Sequence, residues 1–390
     1  MLTPAQLMTL PEPLVELFGE LEADIMAEMC KRIVRHGGTT ATSAWQVEKL
    51  KEMRGMSASA EREIAKALKA GKSELAQIFR EAGVKALATD EAVYRAAGLT
   101  SGQFVYSKAL NDVLIAGIKK TNGLCENFCG TLAENTRQAL YNSLDKSYLG
   151  IMTGNLDPAT AIRRSVNDLA SKGINAVAYP SGHTDSLETA VRRAILTGAN
   201  QTTAELELTR ADELGSDLVE VTAHAGARPE HAEWQGQIYS ISGKTKGYKD
   251  FYRSTGYGDG DGLCGWNCYH NFYPFILGFS TPTFASQRSK NNDAEYETQQ
   301  EQRALERAIR SSKKQVQALD AARNAATDDT LRNELTEDFN RASKTLLNRR
   351  KRLETFLDSH ENFFSSSDRT AVGGFGRSIA GKAAWAARHT

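Results

Sequence analysis

Apolar residues in the first 150 positions recur at steps of three and four, which is typical of helices that bury one face. The clearest stripe consists of Leu14, Phe18, Leu21, Ile25, Met29 and Ile33. Gly37-Gly38 follows this stripe as a helix-ending signal. Cys125 and Cys129 lie one helical turn apart and are interpreted as small buried apolar side chains. The pattern therefore predicts a helical N-terminal region over residues 1–150.

The pattern changes between residues 151 and 285, where helical stretches alternate with short apolar runs and Gly-rich loops. Asp157-Pro158 is typical of a helix start, and Gly173 suits the matching end. Asp185, with Glu188 three residues later, predicts a variant of the capping box at the start of another helix.

Short strands are predicted at three places in this central region, around residues 218–221, 238–241 and 272–276. They indicate a small α+β domain with a short sheet, within a chain that is predominantly α-helical.

Helical periodicity returns after residue 294 as two apolar stripes. The stripes consist of Leu305, Ile309, Val316 and Leu319, and of Leu331, Leu335, Phe339, Ala342, Leu346, Leu353 and Leu357. Thr327 or Asp328 can cap the second helix, so residues 294–358 are predicted to form a helical hairpin. The near-heptad spacing favours a coiled coil that self-associates or docks on a partner helix. Residues 359–390, rich in Ser, Gly and Ala, are predicted to be a flexible tail.

The composition excludes several classes of protein. Lys+Arg 48 balances Asp+Glu 48, so no net charge attracts the whole chain to nucleic acid or to an anionic membrane. No stretch approaches the roughly 18 consecutive apolar residues of a membrane span, so no membrane partner is predicted. Five cysteines in 390 residues do not indicate a disulfide framework, and a reducing cytoplasm is the expected site of synthesis.

The sharpest chemical signal is the spacing Cys264-x3-Cys268-x-His270, because thiolates and imidazoles are the ligands that zinc prefers. His231 lies upstream and can supply a fourth ligand, with His224 as another source. The alternative interpretation is a pair of buried thiols beside an irregular loop, with no cofactor at all. The sequence leaves both open.

A Cys/His-dependent hydrolase or toxin-like effector is the alternative from another class. Cys264 and His231, with Glu233 or Asp261, offer the residue types of an acyl-transfer nucleophile. No nucleophile elbow or oxyanion-hole motif accompanies them, so the chain is predicted not to be an enzyme.

The C-terminal part of the chain carries a local concentration of positive charge. Its members are Arg341, Lys344, Arg349, Arg350, Lys351, Arg352, Arg369, Arg377, Lys382 and Arg388. Such a face can contact nucleic acid without sequence preference, or it can be a solvated helix face that pairs with neighbouring acids.

Two segments carry a resemblance to a known family: GARPEHAEWQGQIYSISG (226–243) and TGYGDGDGLCGWNCYHNFYPFILG (255–278). They resemble the signature of the phage minor capsid protein 2 family, which is similar to the wider Mu F-like, portal-associated head morphogenesis proteins. The resemblance covers roughly residues 10–285 and leaves out the helical region after 294.

The resemblance implies a low-copy structural component of the virion rather than a catalyst. It implies association with the portal protein and other capsid proteins inside the head, and a role in assembly or DNA delivery. The motif positions that it brings to this chain include Arg228, His231, Trp234, Gly236, Trp266 and Asn267, together with Gly262, Cys264, Gly265, Cys268 and His270.

The residues of these two segments suggest that the loops close the central fold. In this hypothesis Trp234, Trp266 and Tyr273 bury their rings, and each ring covers on the order of 150–250 Å². Arg228, His231, Asn267 and His270 then bind loop backbone that regular strand pairing leaves unsatisfied.

Overall fold

The computed structural model describes residues 2–36, 42–101, 104–174, 177–179, 182–284, 291–361, 363–364 and 367–389. The chain is 71% helical with a small four-stranded mixed sheet in the central region, which confirms the predicted helix-dominated α+β class. The predicted stop at Gly37-Gly38 lies outside the described residues. Within the described residues, no helix is long and apolar enough to cross a membrane.

The helices, in chain order, are α1 (Pro4–Thr9), α2 (Glu12–His36), α3 (Thr42–Ala96), α4 (Lys108–Met152), α5 (Pro158–Lys172), α6 (Leu187–Glu213), α7 (Pro229–Ala232), α8 (Phe251–Thr255), α9 (Asn292–Ala325), α10 (Asp329–Asp358) and α11 (Arg377–His389). The strands are β1 (Val177–Ala178), β2 (Thr184–Asp185), β3 (Leu218–Val221), β4 (Ile238–Ser240), β5 (Lys249–Asp250) and β6 (Phe272–Pro274).

Capping residues set several of these helix ends. Asp157 accepts a hydrogen bond from the Thr160 amide at the start of α5, and Gly173 ends that helix with a φ of 71°, as the sequence predicted. Asp328 caps α10 by accepting from the Leu331 amide. The capping box predicted for Asp185 is wrong, because Asp185 lies in β2 and Ser186 Oγ accepts from the Thr189 amide instead.

The chain divides into two compact units, each assembled from three separate stretches. The first comprises residues 1–14, 71–125 and 191–301, and the second comprises 15–70, 126–190 and 302–390. The units therefore do not follow the consecutive segments seen in the sequence. Each passage of the chain from one unit to the other falls inside a helix, namely α2, α3, α4, α6 or α9.

The four-stranded sheet lies in the first unit with the strand order β5-β4-β3-β6. The central strand β3 pairs antiparallel with β4, placing Val219 opposite Tyr239, and antiparallel with β6, placing Glu220 opposite Tyr273. The edge strand β5 pairs parallel with β4.

All four residues of β3 are buried, and one hydrophobic cluster of the first unit forms around this strand. Phe251 and Phe272 meet edge to face with ring centroids 4.9 Å apart, and the Tyr239 hydroxyl donates to the Trp234 carbonyl at 2.9 Å. Cys264 and Cys268 belong to the same cluster, so the loop that carries them is part of the core.

In the second unit, side-chain contacts show that α9 and α10 run in opposite directions. The Arg349 guanidinium donates to the Ala308 carbonyl and to Ser312 Oγ, whereas Arg323 lies over the Phe339 ring at 3.7 Å. The two helices are thus an antiparallel hairpin. Their apolar stripes are largely buried within this chain, so self-association through 294–358 would need another surface.

Helix α11 occupies part of the stretch for which a flexible tail was predicted. Ala383, Ala386 and Ala387 are buried, and α11 packs against α10. Alanine has the highest helix propensity, and its small side chain allows close packing, so the Ala-rich composition here reflects a packed helix.

A buried group of four charges also lies in the second unit. Lys314 Nζ is 3.1 Å from Glu22 Oε2 and 3.3 Å from Glu188 Oε2, and Arg310 Nε is 3.0 Å from Glu188 Oε1. Two cations and two carboxylates balance one another here. Glu188, expected in a capping box, therefore anchors α6 through ion pairs.

Candidate functional site

Two segments of the first unit bring the predicted ligand residues together. His231 lies on the short helix α7, which Pro229 begins, and its side chain is buried. Cys268 and His270 lie in the loop that enters β6, and both are buried.

The three ligand atoms converge on the thiol. Cys268 Sγ is 3.8 Å from His231 Nδ1 and 3.6 Å from His270 Nδ1. One possible ligand atom from each of these residues lies within 4.8 Å of the others. Among the described residues this is the group of His, Cys, Asp or Glu side chains arranged to hold a metal ion.

Each imidazole is held through its other nitrogen. His231 Nε2 is 2.7 Å from the Asp261 carbonyl oxygen, and His270 Nε2 is 2.9 Å from Gln235 Oε1. Gln235 Oε1 also accepts from the His224 amide at 3.1 Å. The rings are therefore oriented by contacts on both sides.

Burial dominates the electrostatics of the site. It raises the pKa of the Cys268 thiol to about 11 and lowers the pKa of His270 well below its ordinary value. Burial also lowers the pKa of His231, and hydrogen bonding to the Asp261 carbonyl opposes that shift. At neutral pH and without a metal, these residues are a neutral thiol and two neutral imidazoles.

Cys264 is not part of this convergence. Its thiol donates to the His270 carbonyl at 3.5 Å, and burial raises its pKa well above the ordinary value. Its backbone is left-handed, with a φ of 59°. The structure thus brings together three of the four predicted ligands, whereas the thiol of the fourth, Cys264, contacts the His270 carbonyl.

The acyl-transfer arrangement suggested by the sequence is not formed. His231 Nδ1 faces Cys268 rather than Cys264, and its Nε2 contacts the backbone carbonyl of Asp261 rather than a carboxylate. A buried thiol with a raised pKa is also a poor nucleophile.

Two of the four polar motif residues contact loop backbone: Arg228 donates from Nη2 to the Trp266 carbonyl at 2.7 Å, and His231 Nε2 lies 2.7 Å from the Asp261 carbonyl oxygen. The other two make different contacts: His270 meets the Gln235 side chain, and the backbone N–H of Asn267 donates to Thr197 Oγ1 at 3.3 Å. Trp234 is buried, and Gly236 has a φ of 65° that favours glycine.

The prediction that Trp266 buries its ring is wrong, because its side chain is 64% exposed. The left-handed residues Cys264 and Asn267 shape the loop so that the cysteines point inward and the tryptophan points outward.

Two residues that support the site were missed by the sequence analysis. Gln235 orients His270, and Asn200 on α6 donates from Nδ2 to the carbonyls of Cys268 and His270 at 3.0 and 2.9 Å. Gln235 lies inside the first signature segment, which could have indicated it. Asn200 has no local signal, because only the packing of α6 brings it to the loop.

Comparisons with known proteins identify a family for this chain. The model of the family "Phage minor capsid protein 2" matches residues 2–358. A "Structural protein" of Lactococcus phage LL-H is 28% identical over 192 residues, covering 46% of this chain and 50% of the relative. The chain thus matches about half the length of this curated relative. No solved structure matches.

These findings define a structural protein of a bacteriophage virion. The chain belongs to the phage minor capsid protein 2 family. The match reaches residue 358, so it includes α9 and α10, which the sequence resemblance had left out.

Proposed function

We propose that this protein is a non-catalytic, low-copy component of the phage head that is held inside the capsid by contact with the portal protein. It is made in the host cytoplasm and enters the particle during assembly. The observation that carries the proposal is the family match across residues 2–358, because it includes most of both units.

The chemistry of the cysteines supports a non-catalytic role. A thiol nucleophile must be accessible and readily deprotonated, whereas Cys264 and Cys268 are each 1% exposed and have raised pKa values. Their surroundings favour a structural role for the loop.

Co-expression with the portal protein of the same phage tests the proposed contact. We expect the two proteins to elute together in size-exclusion chromatography, whereas an unrelated protein of similar size, as a control, does not retain this chain. Separate elution of the portal and this protein at every ratio would contradict the proposal.

Trp266 is the first candidate for a contact residue in that complex, because exposed tryptophans are enriched among residues that dominate interface energies. We expect Trp266→Ala to weaken portal binding about tenfold, or about 1.4 kcal/mol, without changing the melting temperature. An unchanged affinity would remove Trp266 from the interface.

Packaged DNA is proposed as a second partner, through the exposed side chains of Lys351 and Arg352 on α10. Three other members of the basic cluster have acidic partners within the chain: Arg341 pairs with Asp338, Arg369 with Glu306 and Lys382 with Asp320. The available positive face is therefore smaller than the sequence indicates.

The salt dependence of DNA binding tests this second contact. We expect a Lys351→Gln, Arg352→Gln variant to lower the slope of log affinity against log salt by about two. The matched control, Lys66→Gln with Lys69→Gln, removes two exposed lysines of α3 and should leave the slope unchanged. An equal change of the salt slope in both variants would contradict a DNA-binding face at Lys351 and Arg352.

A further inference from the structure

We propose that His231 Nδ1, Cys268 Sγ and His270 Nδ1 form a binding site for a Zn²⁺ ion in the first unit. The site joins α7 to the loop that enters β6. The inference goes beyond the proposed capsid role and does not depend on it.

The protonation of His231 follows from its hydrogen bond to the backbone. The Asp261 carbonyl oxygen can only accept, so at 2.7 Å the ring must donate its proton from Nε2. In the neutral imidazole, Nδ1 then carries a lone pair, and this atom lies 3.8 Å from Cys268 Sγ.

His270 has the same tautomer for a similar reason. Gln235 Oε1 accepts from the His224 amide, which fixes the amide oxygen rather than the amide nitrogen at this position. His270 Nε2 therefore donates to Gln235 Oε1, and the lone pair on Nδ1 lies 3.6 Å from Cys268 Sγ.

Two buried lone pairs thus share one thiol. A single S–H group can donate to at most one of them, and the His270 carbonyl oxygen at 3.8 Å competes for the same proton, so at least one ring nitrogen lacks a donor, at a free-energy cost. When Zn²⁺ binds, the Cys268 thiol loses its proton to solvent, and the thiolate and both ring nitrogens donate electron pairs to the metal. All three groups are then satisfied.

The spacing of the atoms suits this ion. With a Zn–S bond of about 2.3 Å and Zn–N bonds of about 2.05 Å at the tetrahedral angle, sulfur and nitrogen are about 3.6 Å apart. The observed separations are 3.6 and 3.8 Å. A water molecule takes the fourth position, since Cys264 lies outside the group of ligand atoms.

Surrounding groups hold the ligands in place. A metal-binding histidine usually donates its second ring N–H to a carbonyl or carboxylate, and both histidines have such an acceptor here. Asn200 holds the backbone of Cys268 and His270 by donating to both of their carbonyls. Cys264 and Asn267, with φ values of 59° and 52°, are the non-glycine residues in the described chain with positive φ, and both lie in this loop.

Metal analysis of the untagged full-length protein tests the site. After treatment with a chelator and dialysis against Zn²⁺, we expect one zinc per chain. Co²⁺ should give the d–d bands of a tetrahedral centre and a thiolate-to-cobalt charge-transfer band. Folded wild-type protein that binds neither ion would overturn the proposal.

Two cysteine variants locate the ligand. Cys268→Ser should lose stoichiometric zinc and the charge-transfer band, whereas Cys264→Ala, which removes the other buried thiol of the same loop, should keep both. Zinc retained by Cys268→Ser, or lost from Cys264→Ala, would overturn the three-ligand assignment.

A variant outside the ligand set keeps the test decisive if Cys268→Ser does not fold. Gln235→Leu should weaken zinc binding about 10- to 100-fold, because it removes the acceptor that orients His270. Gln237→Leu is the matched control, since Gln237 donates to the Glu233 carbonyl instead. Equal zinc affinities in the two variants would refute the tautomer argument.

Discussion

Gly262→Ala is expected to lower the free energy of unfolding by about 3 kcal/mol. A methyl group at this position would lie 2.0 Å from the Gly256 carbonyl oxygen and 2.5 Å from its carbon. Both are backbone atoms, so no flexible side chain can move aside. Gly256 is itself fixed, because its amide donates to the Tyr252 carbonyl at the end of α8. The measurement is urea unfolding followed by tryptophan fluorescence and circular dichroism.

Gly123→Ala is the matched control for this substitution. Gly123 lies within α4, and no atom outside its own helical turn stands within 4 Å of the methyl group that alanine would add there. The change should be neutral or stabilise the protein by up to about 1 kcal/mol, because alanine favours helix. If the Gly262→Ala variant were as stable as the Gly123→Ala variant, the close approach of the Gly262 and Gly256 backbones would be refuted.

Lys314→Ala is expected to cost about 3–5 kcal/mol of stability, because it leaves two buried carboxylates with one cation. The side chains of Glu22, Glu188 and Lys314 are 3%, 6% and 12% exposed, so water cannot replace the lost charge. Burial lowers the pKa of Lys314, but the two carboxylates outweigh this and the pKa is raised overall. The lysine is therefore charged in the folded protein.

Lys66→Ala provides the comparison for a solvent-exposed ion pair. Lys66 is 4.0 Å from Glu63 on α3, and its side chain is 83% exposed. Its removal should change stability by no more than about 0.5 kcal/mol. A cost for Lys314→Ala as small as that for Lys66→Ala would show that the buried group of four charges does not hold the second unit together.

The parts of the fold that depend on local signals could be predicted from the sequence. The Asp157-Pro158 start of α5 and its Gly173 end are set within a few residues of chain. The β-branched and aromatic residues around 218–221, 238–241 and 272–276 likewise indicated three of the four strands of the sheet. The fourth, β5, has only two residues and left no pattern.

Other features depend on contacts between distant residues, which one sequence does not reveal. Glu188 has the spacing of a capping box, yet its ion pairs with Arg310 and Lys314 decide its role. Trp266 is a large aromatic residue of the kind expected in a core, yet the loop with left-handed residues beside it leaves its side chain exposed to solvent.

In the candidate site, too, local signals were readable from the sequence and contacts between distant residues were not. Residue types and spacing indicated Cys264, Cys268, His270 and His231, but only the loop conformation separates Cys264 from the other three. The hydrogen bonds of Asp261 and Gln235, which set the tautomers, involve a backbone carbonyl and an amide that the sequence does not single out.

The passage of the chain between its two units inside α2, α3, α4, α6 and α9 has a consequence for how such proteins can diversify. Neither unit is a continuous cassette, so a single recombination event between related phages cannot swap one of them intact. Every single crossover would leave at least one unit assembled from chain segments of both parents. Inheritance of the gene as a whole, rather than exchange of modules, is the route that this chain topology favours.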